Sequence, residues 1–233
     1  MCFGSVLTLQ IIEDLTAMLR ASVKFAYISI SFSLIFSSVS YSTEPTNISS
    51  SSVHGGIGLI NMPSARFDND GEFTFGISND DPFKRIYSRM QYFPWLEVVL
   101  KYSEFENTPY EGLPQTAKDK GFDAKIRLFN ETNYLPQVAI GFRDLGGNGY
   151  FASEFVVASK KFGNIDLSLG MGWGKLAGVD HLSNPLSILS ESFDSRSGQK
   201  SVLGGAISVG QFFSGDQASI FGGFSYATPI PNL

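Results

Sequence analysis

The chain has 233 residues, with 22 acidic and 17 basic side chains and a formal net charge of −5 at pH 7. Phosphate binding requires a concentrated basic surface, so this balance argues against a nucleic-acid partner. Charged residues make up only 17% of the sequence and aromatic residues 14%, alongside 24 glycines. This composition favours β-strands joined by tight turns over long helices.

The N-terminal part carries the pattern of an export signal. Arg20 and Lys24 precede an apolar run over residues 25–36, and small residues follow that run. The run is shorter than the ~20 residues that a helix needs to cross the hydrocarbon core of a membrane. We therefore predict a cleaved signal peptide over residues 18–40.

The sequence on either side of this signal suggests the remaining domain limits. Residues 1–17 contain acidic side chains that no secretory signal requires, and we interpret them as a non-native N-terminal extension. Residues 41–53 are rich in Ser, Thr and Asn and are predicted to form a flexible leader. The folded β domain is then expected over residues 54–233.

Alternation of apolar and polar residues dominates the chain from residue 71 to residue 226. In residues 122–128, for example, apolar residues occupy every second position and Asp123, Lys125 and Arg127 lie between them. Segments of roughly ten residues with this period are typical of strands with one face in oil and one in water. The predicted strands are 71–78, 84–92, 95–103, 121–129, 136–143, 151–160, 165–172, 204–212 and 217–226.

Two stretches interrupt the alternation and are predicted to be long loops. Residues 104–120 contain Pro109, Gly112 and Pro114, and residues 174–200 form a second irregular stretch. Outer-membrane barrels place their long loops on the outside of the cell. The loops therefore agree with an all-β, antiparallel transmembrane β-barrel of the outer-membrane type.

The strand count bears on whether this barrel is complete. Bacterial single-chain barrels have an even number of strands, whereas the alternation here gives nine, and the sequence after Tyr226 is turn-like. Two explanations stay open: the alternation misses one strand of a complete barrel, or the chain is an incomplete barrel that forms part of a longer one. The competing interpretation is a soluble periplasmic β-sandwich that binds or processes glycan, in which the apolar faces pack on each other.

If the apolar faces meet lipid, the polar faces point toward a lumen. Charges fixed there could guide an anionic polysaccharide, or they could pair across neighbouring strands and hold the barrel in shape. We favour pairing because it needs no ligand. The predicted lumen-facing residues are Arg85, Arg89, Glu97, Lys101, Asp123, Lys125, Arg127, Arg143, Glu154 and Lys160.

Metal and thiol chemistry have little support in the sequence. The single cysteine, Cys2, lies ahead of the predicted signal peptide, and the two histidines, His54 and His181, are far apart. Zinc sites need several His, Cys or carboxylate ligands at short spacing. We therefore expect no metal and no cofactor.

Two pairs of carboxylates raise the question of glycoside hydrolysis, which needs two carboxyl groups about 5 to 9 Å apart. Asp80 and Asp81 lie in a predicted turn, and Glu104 and Glu106 in a predicted loop. Nothing apolar in these segments would raise the pKa of one member so that it could act as an acid. We therefore expect a protein that is not an enzyme.

Six short segments together resemble the YjbH (YbjH)/GfcD family of exopolysaccharide biosynthesis and secretion proteins. Each is weak alone, but they occur in the order found in the family, and the resemblance covers about residues 53–229. The segments are GIGLINMPSAR (56–66), QYFPWLE (91–97), KDKGFDAK (118–125), GFRD (141–144), ASEFVVASK (152–160) and GMGWG (170–174).

This resemblance implies an outer-membrane β-barrel that acts in the export or assembly of an extracellular polymer. The implied partners are outer-membrane lipid, an exopolysaccharide and other export proteins of the same pathway. Family members are longer than this chain, which favours the incomplete barrel of the two explanations. Many resemble lipoproteins, from which this chain departs because no cysteine follows its apolar run. The family implies no catalytic residues.

Overall fold

A computed structural model describes residues 50–110, 114–178, 182–196, 207 and 209–228. The predicted N-terminal extension, the signal peptide, His181 and residues 41–49 of the predicted leader lie outside the described residues. The last residues of that leader, 50–53, are described, and they bond to the chain that follows: the N–H of Ser52 donates to the carbonyl of Gly56 at 2.8 Å.

The described chain is all-β, with three short 3₁₀ turns at Pro185–Ile188, Glu191–Phe193 and Val209–Gln211. No helix in these ranges is both long enough and apolar enough to cross a membrane. The strands are β1 (Gly58–Leu59), β2 (Met62–Pro63), β3 (Phe73–Asp80), β4 (Phe83–Phe93), β5 (Leu96–Pro109), β6 (Thr116–Phe129), β7 (Gln137–Leu145), β8 (Ser153–Phe162), β9 (Ile165–Gly174), β10 (Leu182–Ser183) and β11 (Gln217–Tyr226).

Nine of these strands form one antiparallel sheet in the order β10-β11-β9-β8-β7-β6-β5-β4-β3, and β1 and β2 form a separate small hairpin. From β3 to β9 each strand pairs with the next one in the sequence, because short turns return the chain directly. Between β8 and β9 the turn has only two residues, and its Gly163 takes the left-handed φ of 60° that such turns require. Over the described residues β3 and β10 are the edges, and the sheet does not close into a barrel.

The prediction of a long loop over residues 104–120 was wrong. β5 continues to Pro109 and β6 begins at Thr116. The two strands stay in register as far as Phe105 opposite Ala117, and the register shifts before Pro109 pairs with Thr116. Their inward residues remain buried. The alternation was hidden because the outward residues of β5 and β6 change from apolar to charged in this region. One of them, Glu106 of β5, forms an ion pair with Lys84 of β4.

The C-terminal part also differs from the prediction. Residues 204–206 and 208 of the predicted strand 204–212 lie outside the described residues, but Val209–Gln211 is a 3₁₀ turn. The second predicted loop contains β10 and two 3₁₀ turns. Asn184 organises this segment: its side-chain oxygen accepts the Trp173 indole N–H at 2.8 Å, and its amide donates to the Gly215 carbonyl at 2.9 Å.

The sheet has an apolar exposed face and a polar buried face. Ile77 is 72% exposed, whereas Arg85 is 2% and Glu97 3% exposed. This is the reverse of a water-soluble sheet, in which apolar side chains are buried. The large apolar residues exposed on the outer face include Phe73, Phe75, Ile77, Ile86, Leu100, Tyr102, Leu128, Leu167, Leu169, Ile220 and Phe224.

Candidate functional site

The buried polar side of the sheet, which we call the charged face, brings together most of the residues predicted to face a lumen. Each comes from an inward position of strands β4 to β7, and the strand register places them side by side. Eight of the ten predicted residues lie here: Arg85, Arg89, Glu97, Lys101, Asp123, Lys125, Arg127 and Arg143.

The other two predicted residues lie on the opposite side of the sheet by register. Ser153, rather than Glu154, pairs with Arg143, so Glu154 alternates to the outer face. Lys160 pairs with the exposed Leu167 and binds backbone carbonyls of the β6–β7 loop. Glu154 forms a bidentate ion pair with Arg196, at 2.7 and 2.8 Å.

Ion pairs join neighbouring strands on the charged face. The Lys101 ammonium lies 2.6 Å from Asp123 Oδ1. Lys125 lies 3.2 Å from Glu97 Oε2, and both of those side chains are almost completely buried. Burying a charge is costly unless it is paired and hydrogen-bonded, so these pairs make a charged face compatible with burial.

Aromatic rings stabilise cations on the charged face as well. The Arg85 guanidinium lies between two rings, 4.9 Å from the centroid of Phe83 and 4.8 Å from that of Phe151. Arg127 lies 4.6 Å from the Phe67 ring. A ring face attracts a cation through its quadrupole. This attraction partly compensates the Arg85 guanidinium, whose Nε and Nη1 have no hydrogen-bond partner among the described residues and whose nearest carboxylate is that of Asp80, 3.9 Å from Nη1.

Residues 50–68, which we call the inserted segment, cover the charged face. The segment bonds to strands from one side of the sheet to the other: Ser78 Oγ of β3 donates to the Val53 carbonyl at 2.6 Å, and Ser159 Oγ of β8 accepts the Ala65 N–H at 2.9 Å. Between them, Lys125 donates to the Arg66 carbonyl at 2.8 Å. The inserted segment therefore crosses the charged face from β3 to β8.

Glycine lets the inserted segment lie close to the sheet. A Cβ on Gly55 would come within 2.6 Å of Tyr87 Cγ, and Gly55 has a left-handed φ of 93°. Only glycine accepts both conditions without strain. The neighbouring His54 ring packs edge-on against Phe151, with centroids 6.0 Å apart. Burial lowers the pKa of His54 far below its ordinary value, and the positive charge of Arg143 lowers it further, so the imidazole is neutral.

Arg66 fixes the end of the inserted segment. Its guanidinium donates twice to Asp166 of β9, both at 2.7 Å, and once each to Glu131 at 2.6 Å and Gln137 at 3.0 Å. Burial alone would lower the Arg66 pKa, but the bonds to Asp166 and Glu131 outweigh it and hold the pKa above its ordinary value. The sequence argument missed this cluster, although Arg66 ends one of the family segments and Asp166 alternates with apolar neighbours.

We predict that Arg66→Lys loosens the inserted segment. Lysine keeps the charge but cannot form the bidentate pair with Asp166. Each lost hydrogen bond to a charged group should lower the ratio of bound to detached inserted segment by about tenfold or more. A nitroxide label on Ile60→Cys, in a Cys2→Ser background, should become more mobile by electron paramagnetic resonance. Lys161→Arg, an exposed neighbour, should leave the spectrum unchanged. An unchanged spectrum for Arg66→Lys would contradict the prediction.

The same cluster predicts a response to acid. Partial burial raises the pKa of Glu131, but the Lys161 N–H and the Arg66 guanidinium outweigh burial and hold the pKa below its ordinary value of 4.5. A carboxyl with a depressed folded-state pKa stabilises the folded form above its unfolded-state pKa, and this stabilisation is lost as the pH falls through the folded value. The label at position 60 should therefore stay immobile down to about pH 4.5 and loosen below it. Glu131→Gln should weaken this pH dependence.

No group of three His, Cys, Asp or Glu residues that could hold a metal ion occurs in the part of the chain that the structure describes.

Comparison with known proteins confirms the resemblance read from the sequence. The family described as exopolysaccharide biosynthesis protein YbjH matches residues 50–233. The uncharacterized lipoprotein YjbH of Escherichia coli (strain K12) is 40% identical over 185 residues, which is 77% of this chain and 26% of that relative. This chain thus spans about a quarter of the relative's length. No solved structure matches. The chain belongs to the YjbH family of exopolysaccharide biosynthesis proteins.

Proposed function

We propose that this chain forms an outer-membrane β-barrel, or part of one, that assists exopolysaccharide export without catalysing a reaction. The observation that carries the proposal is the inverted sheet, with its apolar face exposed and its charged face buried. Transfer of one Phe, Ile or Leu side chain out of water stabilises by about 1.5–3 kcal/mol. A face with many such residues is therefore better placed in lipid than in water.

The limits of the apolar surface support a membrane position. On the outer face of β5 the apolar positions end at Tyr102, and the next outward residue, Glu104, begins a charged group with Lys118 and Lys120. At the other end, the β4–β5 turn carries stacked rings, with Phe93 5.3 Å from Trp95. A band of apolar residues between polar and aromatic borders is typical of transmembrane barrels.

The alternative, a soluble periplasmic β-sandwich, would need a second layer against the apolar face. In the described ranges the inserted segment covers the charged face instead. On the outer face, Arg196 and Phe213 pack against Glu154 and Trp173 at one end of the sheet, and the large apolar residues of the other strands stay exposed. Lipid is therefore the better partner for the apolar face.

Family membership supports a role with exopolysaccharide. The charged face would give the barrel a polar interior, whose fixed charges can guide an anionic polysaccharide. We infer that an exopolysaccharide and other export proteins of the same pathway are the partners. The ion pairs of the charged face account for most of its charges without catalysis, and so favour a structural or guiding role.

Cell fractionation tests the barrel. The full chain should be recovered from the outer-membrane fraction only with detergent, and its mobility on a gel should differ between boiled and unboiled samples. Recovery in the soluble periplasmic fraction would contradict the barrel and favour the sandwich.

A deletion strain tests the role in export. We expect less secreted polysaccharide than in the parent strain, with secretion restored by the wild-type gene. Secretion at the parental level in the deletion strain would contradict the proposed role, whatever the outcome of the fractionation.

A further inference from the structure

An open groove of about 510 Å³, which we call the outer groove, lies on the apolar outer face of the sheet between β3 and β7. Its floor includes Ser88, whose small side chain lies in the register between Phe75 and Leu100, which are 65% and 58% exposed. Ile86 and Phe122 complete the apolar wall. Ligand sites in proteins commonly have a volume of about 300–1,000 Å³, so the outer groove is large enough for part of a lipid.

One end of the outer groove is polar. Lys120 of β6 and Tyr102 of β5 lie opposite each other in the strand register, and both line the groove. The Lys120 ammonium and the Tyr102 hydroxyl have no hydrogen-bond or ion-pair partner among the described residues. Both groups can donate hydrogen bonds, so this end of the groove can bind an anion.

Other charges close to Lys120 already have partners. On the next strand, Lys84 forms an ion pair with Glu106. Glu104 accepts a hydrogen bond from the Thr116 hydroxyl. The positive charge of Lys120 therefore remains available for an anion from outside the protein.

The polar end of the outer groove lies toward the longest connection of the sheet. At the opposite end, two of the three connections are turns of two residues, 94–95 and 163–164. At the polar end, residues 175–216 lead from β9 to β11 by way of β10. Membrane barrels place their short turns in the periplasm and their longer loops outside the cell. In the proposed barrel, Lys120 therefore lies near the lipid headgroups of the outer leaflet.

We propose that the outer groove binds one phosphate-bearing lipid of the outer leaflet, with an acyl chain along Phe75, Ile86 and Leu100 and a phosphate on Lys120. The proposal rests on the proposed outer-membrane barrel and names a lipid that the barrel would bind at a defined place. A lysine ammonium is a common ligand of phosphate, and here it is continuous with an apolar groove. A second copy of the apolar face would leave Lys120 without a partner.

Native mass spectrometry of the full chain, released from detergent micelles, tests the site. The probes are lipid A, which has phosphates and acyl chains, lipid A from which the phosphates have been removed, and inorganic phosphate. We expect one lipid A molecule to be retained per protein. Dephosphorylated lipid A should bind about fivefold or more weakly, because the attraction to a lysine is lost. Inorganic phosphate should bind at least tenfold more weakly than lipid A, because it has no apolar contacts.

Charge variants assign the phosphate contact. Lys120→Gln should weaken lipid A binding about fivefold, whereas Lys120→Arg keeps the charge and should restore it. Lys175→Gln is the matched control, because it removes an exposed lysine at the same end of the sheet but outside the outer groove. Lipid A binding should be unchanged in this control.

A shape variant tests the acyl chain. Ser88→Phe fills the groove without changing any charge, and it should weaken the binding of lipid A. The boiled and unboiled mobilities of each variant on a gel show whether it is folded. If Ser88→Phe does not fold, Lys120→Gln, a change at an exposed side chain, still decides the proposal.

Several results would overturn the proposal. Equal binding of lipid A with and without phosphates would remove the role of Lys120, as would an equal loss in Lys175→Gln. Inorganic phosphate bound as tightly as lipid A would leave only a simple anion site, and a dimer free of lipid would assign the groove to a second copy. Failure of lipid A binding together with normal outer-membrane fractionation would overturn the lipid site alone. Recovery in the soluble periplasm would overturn the barrel independently.

Discussion

Replacing Leu100 with arginine is expected to prevent stable insertion in the outer membrane. Leu100 is 58% exposed at an outward position in the middle of β5, where the register places it between Ser88 and Phe122. An arginine at the lipid-facing midplane of a barrel costs about 2–4 kcal/mol. We expect the variant to disappear largely from the outer-membrane fraction and its unboiled folded form to be lost from the gel.

The size of this effect separates a membrane protein from a soluble one. At an exposed position in water, the same change costs no more than about 0.5 kcal/mol. Two variants serve as controls: Leu100→Ile keeps the position apolar, and Lys120→Arg changes a residue in the charged border of the same face. Both should insert like the wild type. Normal insertion of Leu100→Arg would argue against lipid contact at this position.

The sequence predicts the strands well because a two-residue period is a local property. Wherever outward residues are apolar and inward residues polar, as in residues 122–128, the alternation places both faces correctly. It fails where outward positions become charged, because both faces are then polar and the period disappears. For that reason the ends of β5 and β6, around Phe105 and Ala117, were assigned to a loop.

The candidate site is less accessible to sequence reasoning. The period identifies two faces but not what covers each, and a shift of one position moves a residue such as Glu154 to the other face. The inserted segment has no period of its own. Its contacts join residues far apart in the sequence, as Arg66 and Asp166 are, and only the folded sheet brings them together.

A second large effect is expected inside the charged face, where Lys125→Met should strongly destabilise the fold. The change leaves the Glu97 carboxylate buried without its partner and also removes the bonds from Lys125 to the Ile57 and Arg66 carbonyls. Breaking a buried ion pair from one side costs about 3–5 kcal/mol. Urea unfolding of the full chain in detergent micelles should show this loss.

The matched control is Lys84→Met, which breaks the pair with Glu106 on the outer face. Lys84 is largely exposed, and exposed ion pairs contribute little because water screens both charges. We therefore expect an unfolding midpoint close to that of the wild type. Similar losses for the two lysine variants would contradict the buried character of the charged face.

A double variant tests whether the loss comes from the stranded carboxylate. Glu97→Gln together with Lys125→Met removes both charges, while glutamine can still accept the Ile57 N–H that Glu97 accepts at 3.4 Å. The double variant should therefore be more stable than Lys125→Met alone, with a coupling energy of about 0.5–3 kcal/mol. If the two losses simply add, the cost of Lys125→Met comes from the anchoring of the inserted segment. The charged face would then act mainly to hold that segment in place.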